Sequence, residues 1–271
     1  MIVGVAVCPG APFLIAGTAD AIARQVPDVA DACRRAISGL PPADRLLLIA
    51  TGPAAGRRSG GTVRRSEASP GWRSFPPGTP VTTILTRHDA CVRAVRLPSD
   101  PAVPGQLSTD GSDADGRPAA VPSIATLVGT HLLAALPHPP PTTAVEVNGT
   151  PPTTSDLAER LGLGGSERIA LVVIADGSAC HGPQAPGRQD DRAAEFDGAV
   201  AGALATGDPA ALRAACVNRG LPAGELMAMV APLRLLAELA DIDPPDTAEV
   251  LYAGAPFGVG YFVASWRWDR S

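Results

Sequence analysis

A chain of 271 residues, 45% of them hydrophobic and with a net charge of −5, holds enough apolar material for a sizeable core, which excludes wholesale disorder. It contains no Lys, a bias that fits a GC-rich bacterial genome, and an acidic balance without a basic stripe argues against nucleic acid as a partner. Five Cys, at 8, 33, 91, 180 and 216, form an odd set without C-x-x-C spacing; this argues against a disulfide framework or structural zinc and fits reduced thiols in a cytoplasmic protein.

In chain order, Ile2 to Val7 is a continuous apolar run and predicts a first strand buried on both faces. The following Cys8-Pro9-Gly10-Ala11-Pro12 reads as a rigid turn, and without a basic n-region the segment does not read as a signal peptide. Thr18 is the expected cap of a helix over Ala19 to Leu40, with Pro27 breaking or kinking it. Arg45 to Ala50 predicts strand two, closed by Thr51-Gly52-Pro53. Gly56 to Pro80 and Pro98 to Pro122 are polar, Gly/Pro/Ser-rich inserts without apolar period; Arg57, Arg58, Arg64 and Arg65 in the first read as a solvated loop. Between the inserts, Val81 to Leu85 predicts a short strand and Ala90 to Val95 a strand or a helical turn. Ser123 caps an expected helix to Leu136, Thr142 to Val147 a strand, and Thr154 or Ser155 opens a short helix to Leu161.

The stretch from Arg168 to Val200 concentrates the chemistry. Ile169 to Ala175 is too short to span a membrane and suits a buried strand. It breaks at Asp176-Gly177-Ser178, offers His181 in a Gly/Pro-rich loop, and ends in an expected helix, Asp190 to Leu204, that carries Glu195-Phe196-Asp197. In open α/β sheets the loop after a strand's carboxyl end is the usual place for a site. Asp208-Pro209 opens another helix, Pro222 to Ala240 reads as an apolar helix kinked at Pro232, and Glu249 to Ala253 with Val259 to Trp266 reads as a closing hairpin. Strands alternating with helices predict a three-layer α/β/α sandwich around a largely parallel, mixed central sheet, as one domain over 1–271. No run reaches the length of a transmembrane helix.

Four pieces carry a resemblance: Gly177 to His181 (GSACH), Glu195 to Asp197 (EFD), Ala223 to Glu225 (AGE) and Tyr252 to Ala264 (YAGAPFGVGYFVA). In order and spacing the chain resembles the class III extradiol ring-cleavage dioxygenases, the protocatechuate 4,5-dioxygenase β-subunit type that includes Memo-like proteins. The resemblance implies Fe(II) held by two His and one Glu, with a further His as acid/base. His181 matches the acid/base His and Glu225 the carboxylate ligand. Gly10 and Thr51 stand where the two ligand His are expected, and Ser178 stands for the family Asp.

One Glu without imidazole is not expected to hold Fe(II). The expectation is therefore a divergent member without the two-His iron site and without a cofactor, keeping a small-molecule or partner-binding cleft lined by Gly10, Thr51, Ser178, His181 and Glu225. The alternative is an active Fe(II)-dependent dioxygenase for a catechol-type substrate with a rebuilt ligand set drawn from Cys8, His181 or Glu225. A metal-free hydrolase or lyase using His181 is a third reading; Ser178 lacks the G-x-S-x-G elbow. His88-Asp89 reads as a solvated turn, His131 as a satisfied core His and His138 as a surface corner. No membrane partner is expected, and a homo-oligomer is possible by family analogy.

Overall fold

The fold is described from a computed structural model, which covers residues 1–52, 92–95, 122–147, 165–218, 220–241 and 243–269. Seven strands form one sheet: β1 (Ile2–Cys8), β2 (Arg45–Thr51), β3 (Val92–Val95), β4 (Thr142–Val147), β5 (Ile169–Ile174), β6 (Thr247–Gly254) and β7 (Tyr261–Arg267). Their order across the sheet is β3-β4-β2-β5-β1-β7-β6. The four central strands run parallel; β3 on one side and β7 on the other run antiparallel to them, and β6 pairs antiparallel with β7.

The unbroken apolar runs follow from burial on both faces. Along each central strand alternate side chains enter different cores. Val5, Val7, Leu47, Ile49, Leu171 and Val173 pack with helices α4 (Ala193–Thr206), α5 (Pro209–Cys216) and α6 (Ala231–Ala240). Ala6, Cys8, Leu46, Leu48, Val172 and Ile174 pack with α2 (Pro27–Ser38) and α3 (Ile124–Leu133). The α/β/α layering is thus written in the strands themselves. On one side Trp266, fully buried in β7, donates its Nε1–H to Leu204 O at 2.8 Å and fastens α4 to the sheet. On the other, Glu146, buried in β4, accepts from Ser123 N–H at 2.6 Å and the Thr126 hydroxyl at 2.7 Å, fixing the start of α3.

Local chemistry sets the helix ends. The helix expected over Ala19 to Leu40 is divided into α1 (Asp20–Ala23) and α2, and Pro27 is the first residue of α2, where its missing N–H leaves no bond unmade. Ala19, not Thr18, precedes α1; Asp20 Oδ1 accepts from Gly17 N–H instead. Ser123 caps α3, which ends at Leu133, and Asp208 caps α5 through Ala210 N–H and Ala211 N–H. The helix expected from Pro222 begins only at Ala231. Residues 223–227 form turns, Met227 takes a left-handed φ of 53°, and Met229 bridges to Asp176. Pro232 therefore sits in a first helical turn and kinks nothing.

Residues 92–95 form a strand, as one of the two readings of Ala90 to Val95 anticipated. The expected strand over Val81 to Leu85, the helix from Thr154, the arginine cluster, His88-Asp89 and nearly all of both polar inserts lie outside the described residues. No helix among the described residues is long and apolar enough to cross a membrane.

Candidate functional site

The topology gathers the site. Strand β5 lies between β1 and β2, all three parallel, so the turn at Gly10, the end of β2 at Thr51 and the loop from Asp176 to His181 emerge at one edge of the sheet. Strand β7 runs antiparallel to β1, which brings its first residues, after Gly260, to the same edge.

His181 is held from two directions. Its backbone N–H donates to Gly258 O at 3.1 Å, and its Nε2 lies 2.6 Å from Asp197 Oδ2 on α4. The other oxygen of Asp197 accepts from Ser178 N–H at 2.8 Å. Burial pushes the Asp197 carboxyl up, and the bonds from Ser178 and His181 oppose that shift by favouring the anion. A Cβ on Gly177 or on Gly260 would overlap this carboxyl, so two bare glycines make its seat, and Gly177 N–H to Gly260 O and Gly260 N–H to Ser178 O, both 2.7 Å, lock them together. With Nε2–H donating to Asp197, Nδ1 is the free acceptor; among the described residues no partner occupies it, and the imidazole keeps contact with solvent. A carboxylate behind an imidazole in this manner fixes its tautomer and its orientation.

Ser178 is fully buried, its hydroxyl donating to Leu226 O at 3.0 Å and accepting from Cys180 N–H at 3.1 Å, so it shapes the loop. Gly10 donates its N–H to Asp176 Oδ1 at 2.8 Å, and a Cβ at position 10 would lie 3.0 Å from Asp176 Oδ2. Asp176 thus fills the room that a side chain at position 10 would take. Its backbone O accepts from Met229 N–H, and the Thr51 hydroxyl reaches Met229 O at 3.4 Å. Burial raises the Asp176 carboxyl to about 6 against the pull of the single Gly10 N–H. Nearby Tyr261 is raised as well, by burial first and by the charge of Asp176 second. Phe13 stands edge-on to both Tyr261 and Phe257, which is partly exposed at a left-handed φ of 59°.

The structure brings Gly10, Thr51, Ser178 and His181 to this edge and pairs the Glu225 carboxylate with Arg192. Glu225 lies in an exposed turn, its carboxylate 3.0 Å from Arg192, which also pairs with Asp190. Cys8 is fully buried and shares a thiol hydrogen bond with Cys33 of α2; that contact and burial push it well up. His131 accepts from Ala16 N–H at 3.3 Å, and burial lowers it. Set against the Fe(II) site that the resemblance implies, these donors do not fit a facial triad: Gly10 offers only backbone, Thr51 a neutral hydroxyl, and Glu225 faces Arg192. Among the described residues no three His, Cys, Asp or Glu side chains cluster at metal-binding distance.

Asp176, Asp197 and Gly260 carry the geometry and were not assigned roles from the sequence. The available signals were a carboxyl directly after a buried strand and an Asp in the first turns of the helix following His181. A separate open cavity of about 600 Å³, lined by Asp28, Asp31, Arg34, Arg35, Ser38, Leu251 and Tyr252, shares no residue with this site.

No family model matches the chain, and no curated protein does. Among solved structures, an uncharacterized Escherichia coli K12 protein, JW3007, is similar over 97% of this chain and 99% of its own, with 14% identity and a TM-score of 0.48.

Proposed function

We propose that this chain is a divergent extradiol-dioxygenase-like protein that lacks the two-His iron site and keeps a small-molecule site at the carboxyl edge of its sheet, where His181 moves a proton. One observation carries this reading: His181 Nε2 sits 2.6 Å from a buried Asp197 carboxylate, leaving Nδ1 free, while neighbouring Gly10 and Thr51 supply no imidazole. The Fe(II)-dependent alternative draws on Cys8, His181 and Glu225; Cys8 packs against Cys33 and Glu225 pairs with Arg192, which gives it no support. A reducing, cytoplasmic setting belongs to the same proposal and rests on the odd, unspaced set of thiols.

The test is metal quantification on full-length protein purified with added Fe(II) or Zn(II). The expected result is no stoichiometric metal. One metal per chain that disappears in Glu225→Ala would overturn the reading.

A further inference from the structure

We propose that this chain forms a two-fold dimer through the open edge of its sheet, with β6 pairing antiparallel to β6 of a second copy and the charged faces of the two α2 helices meeting across the seam. This surface shares no residue with the site at His181, so the dimer does not depend on the reaction proposed there.

Three observations support a second copy as the occupant. First, β6 ends the sheet. Among the described residues it pairs with β7 alone, which leaves one row of its backbone N–H and C=O groups without a strand beside it. Sheet edges are commonly guarded by Lys, Pro or inward-pointing charge. The eight residues Thr247–Gly254 hold neither Lys nor Pro and a single charge, Glu249. A bulge at Leu251 does not end the strand: pairing with β7 resumes at Tyr252, and Leu251 and Tyr252 both pack toward the α2 layer.

Second, α2 packs over β1, β7 and β6, so it reaches this edge. An open groove of about 600 Å³ runs beside it, lined by Leu251 and Tyr252 of β6 and by Asp28, Asp31, Arg34 and Arg35 of α2. A stable pair of proteins buries about 800 Å² per partner, more than one strand edge offers, and the α2 face supplies a second contact.

Third, the charges on α2 are sorted by sign. Asp28 and Asp31 stand in its first half, Arg34 and Arg35 in its second, and all four are exposed. Arg34 pairs with Asp31 inside the helix, while Asp28 and Arg35 form no ion pair among the described residues. Antiparallel pairing of the two β6 strands sets the two-fold axis perpendicular to the sheet, so both α2 helices lie in one layer and run antiparallel. Asp28 and Asp31 of each copy then face Arg35 and Arg34 of the other. The face is self-complementary, as an isologous contact requires. It also carries no net charge, so two chains of net charge −5 can meet there without mutual repulsion at the seam.

Sedimentation equilibrium of the full-length chain is expected to give twice the monomer mass of 27.5 kDa. Two charge-reversed variants address this surface. Asp28→Arg with Asp31→Arg makes the α2 face wholly basic, and Arg34→Asp with Arg35→Asp makes it wholly acidic. Each alone sets like charges opposite one another and is expected to raise the dimer dissociation constant about 10-fold or more. An equimolar mixture of the two restores every contact between opposite charges and is expected to return to dimer, which misfolded chains would not do. Amide hydrogen exchange tests the strand: Thr247–Gly254 is expected to exchange more slowly in the wild-type dimer than in either variant when monomeric. A chain that stays at 27.5 kDa up to about 100 μM overturns the proposal. So does a dimer unmoved by both reversals, or a mixture no more dimeric than its components. Equal exchange of β6 in the dimer and in the monomeric variants overturns the strand pairing.

Discussion

Replacing Asp176 by Asn isolates the cost of a carboxyl that the fold keeps short of partners. In the native chain the Asp176 carboxyl accepts one N–H bond, from Gly10, no ion pair forms with it among the described residues, and burial raises it from an ordinary 3.8 to about 6. A folded-state value above the unfolded one means the neutral form fits the fold better. The stabilising contribution is complete below about pH 4, where both states are protonated. It declines as pH rises and is gone above about pH 6, once the folded protein must also ionise. The span corresponds to about 3 kcal/mol. Asn keeps the oxygen that accepts from Gly10, places its amide where Oδ2 reaches solvent, and cannot ionise. Urea denaturation from pH 4 to pH 8 should therefore show near-equal stability of wild type and Asp176→Asn at pH 4, and a variant more stable by up to about 3 kcal/mol at pH 7 to 8. A difference that stays constant across this range, or one in which the wild type gains on the variant as pH rises, would refute the reasoning.

Other consequences follow from the same contacts. Asp197→Ala removes the acceptor of the buried Ser178 N–H and should cost about 1–3 kcal/mol in urea denaturation, while the His181 ring resonances lose their single orientation by NMR. Gly260→Ala places a methyl group in the seat of the Asp197 carboxyl; a loss of about 1–3 kcal/mol and a displaced His181 signal are expected, and an unchanged signal would contradict the packing described. Asp208→Ala removes two N-terminal hydrogen bonds of α5 and should lower stability by about 1 kcal/mol without touching His181. Glu225→Ala removes only an exposed pairing with Arg192, so the denaturation midpoint should not move measurably.

Much of the layering was legible because both its causes are local. Runs such as Arg45–Thr51 are apolar at every interior position, which only a strand covered on both faces requires, and Pro27, Ser123 and Asp208 mark helix starts by what they lack or accept. The helix start at Ala231 was not legible, because the apolar residues from Leu226 to Val230 continue a helical pattern that the left-handed φ of Met227 and the bridge from Met229 to Asp176 interrupt. Those are tertiary choices, and they carry Glu225 out to Arg192. The site was legible by location, since the loop after β5 was the expected place, but not by membership. Composition shows 29 Gly without showing that Gly177 and Gly260 seat a carboxyl. Read one position at a time, Gly10 and Asp176 are each only a turn residue. Read as a packed pair, Gly10 is bare because Asp176 needs the space, and the amide of Gly10 is the one hydrogen bond that the Asp176 carboxyl receives. The space beside Gly10 is thus filled by a residue 166 positions away, brought there by the pairing of β5 with β1.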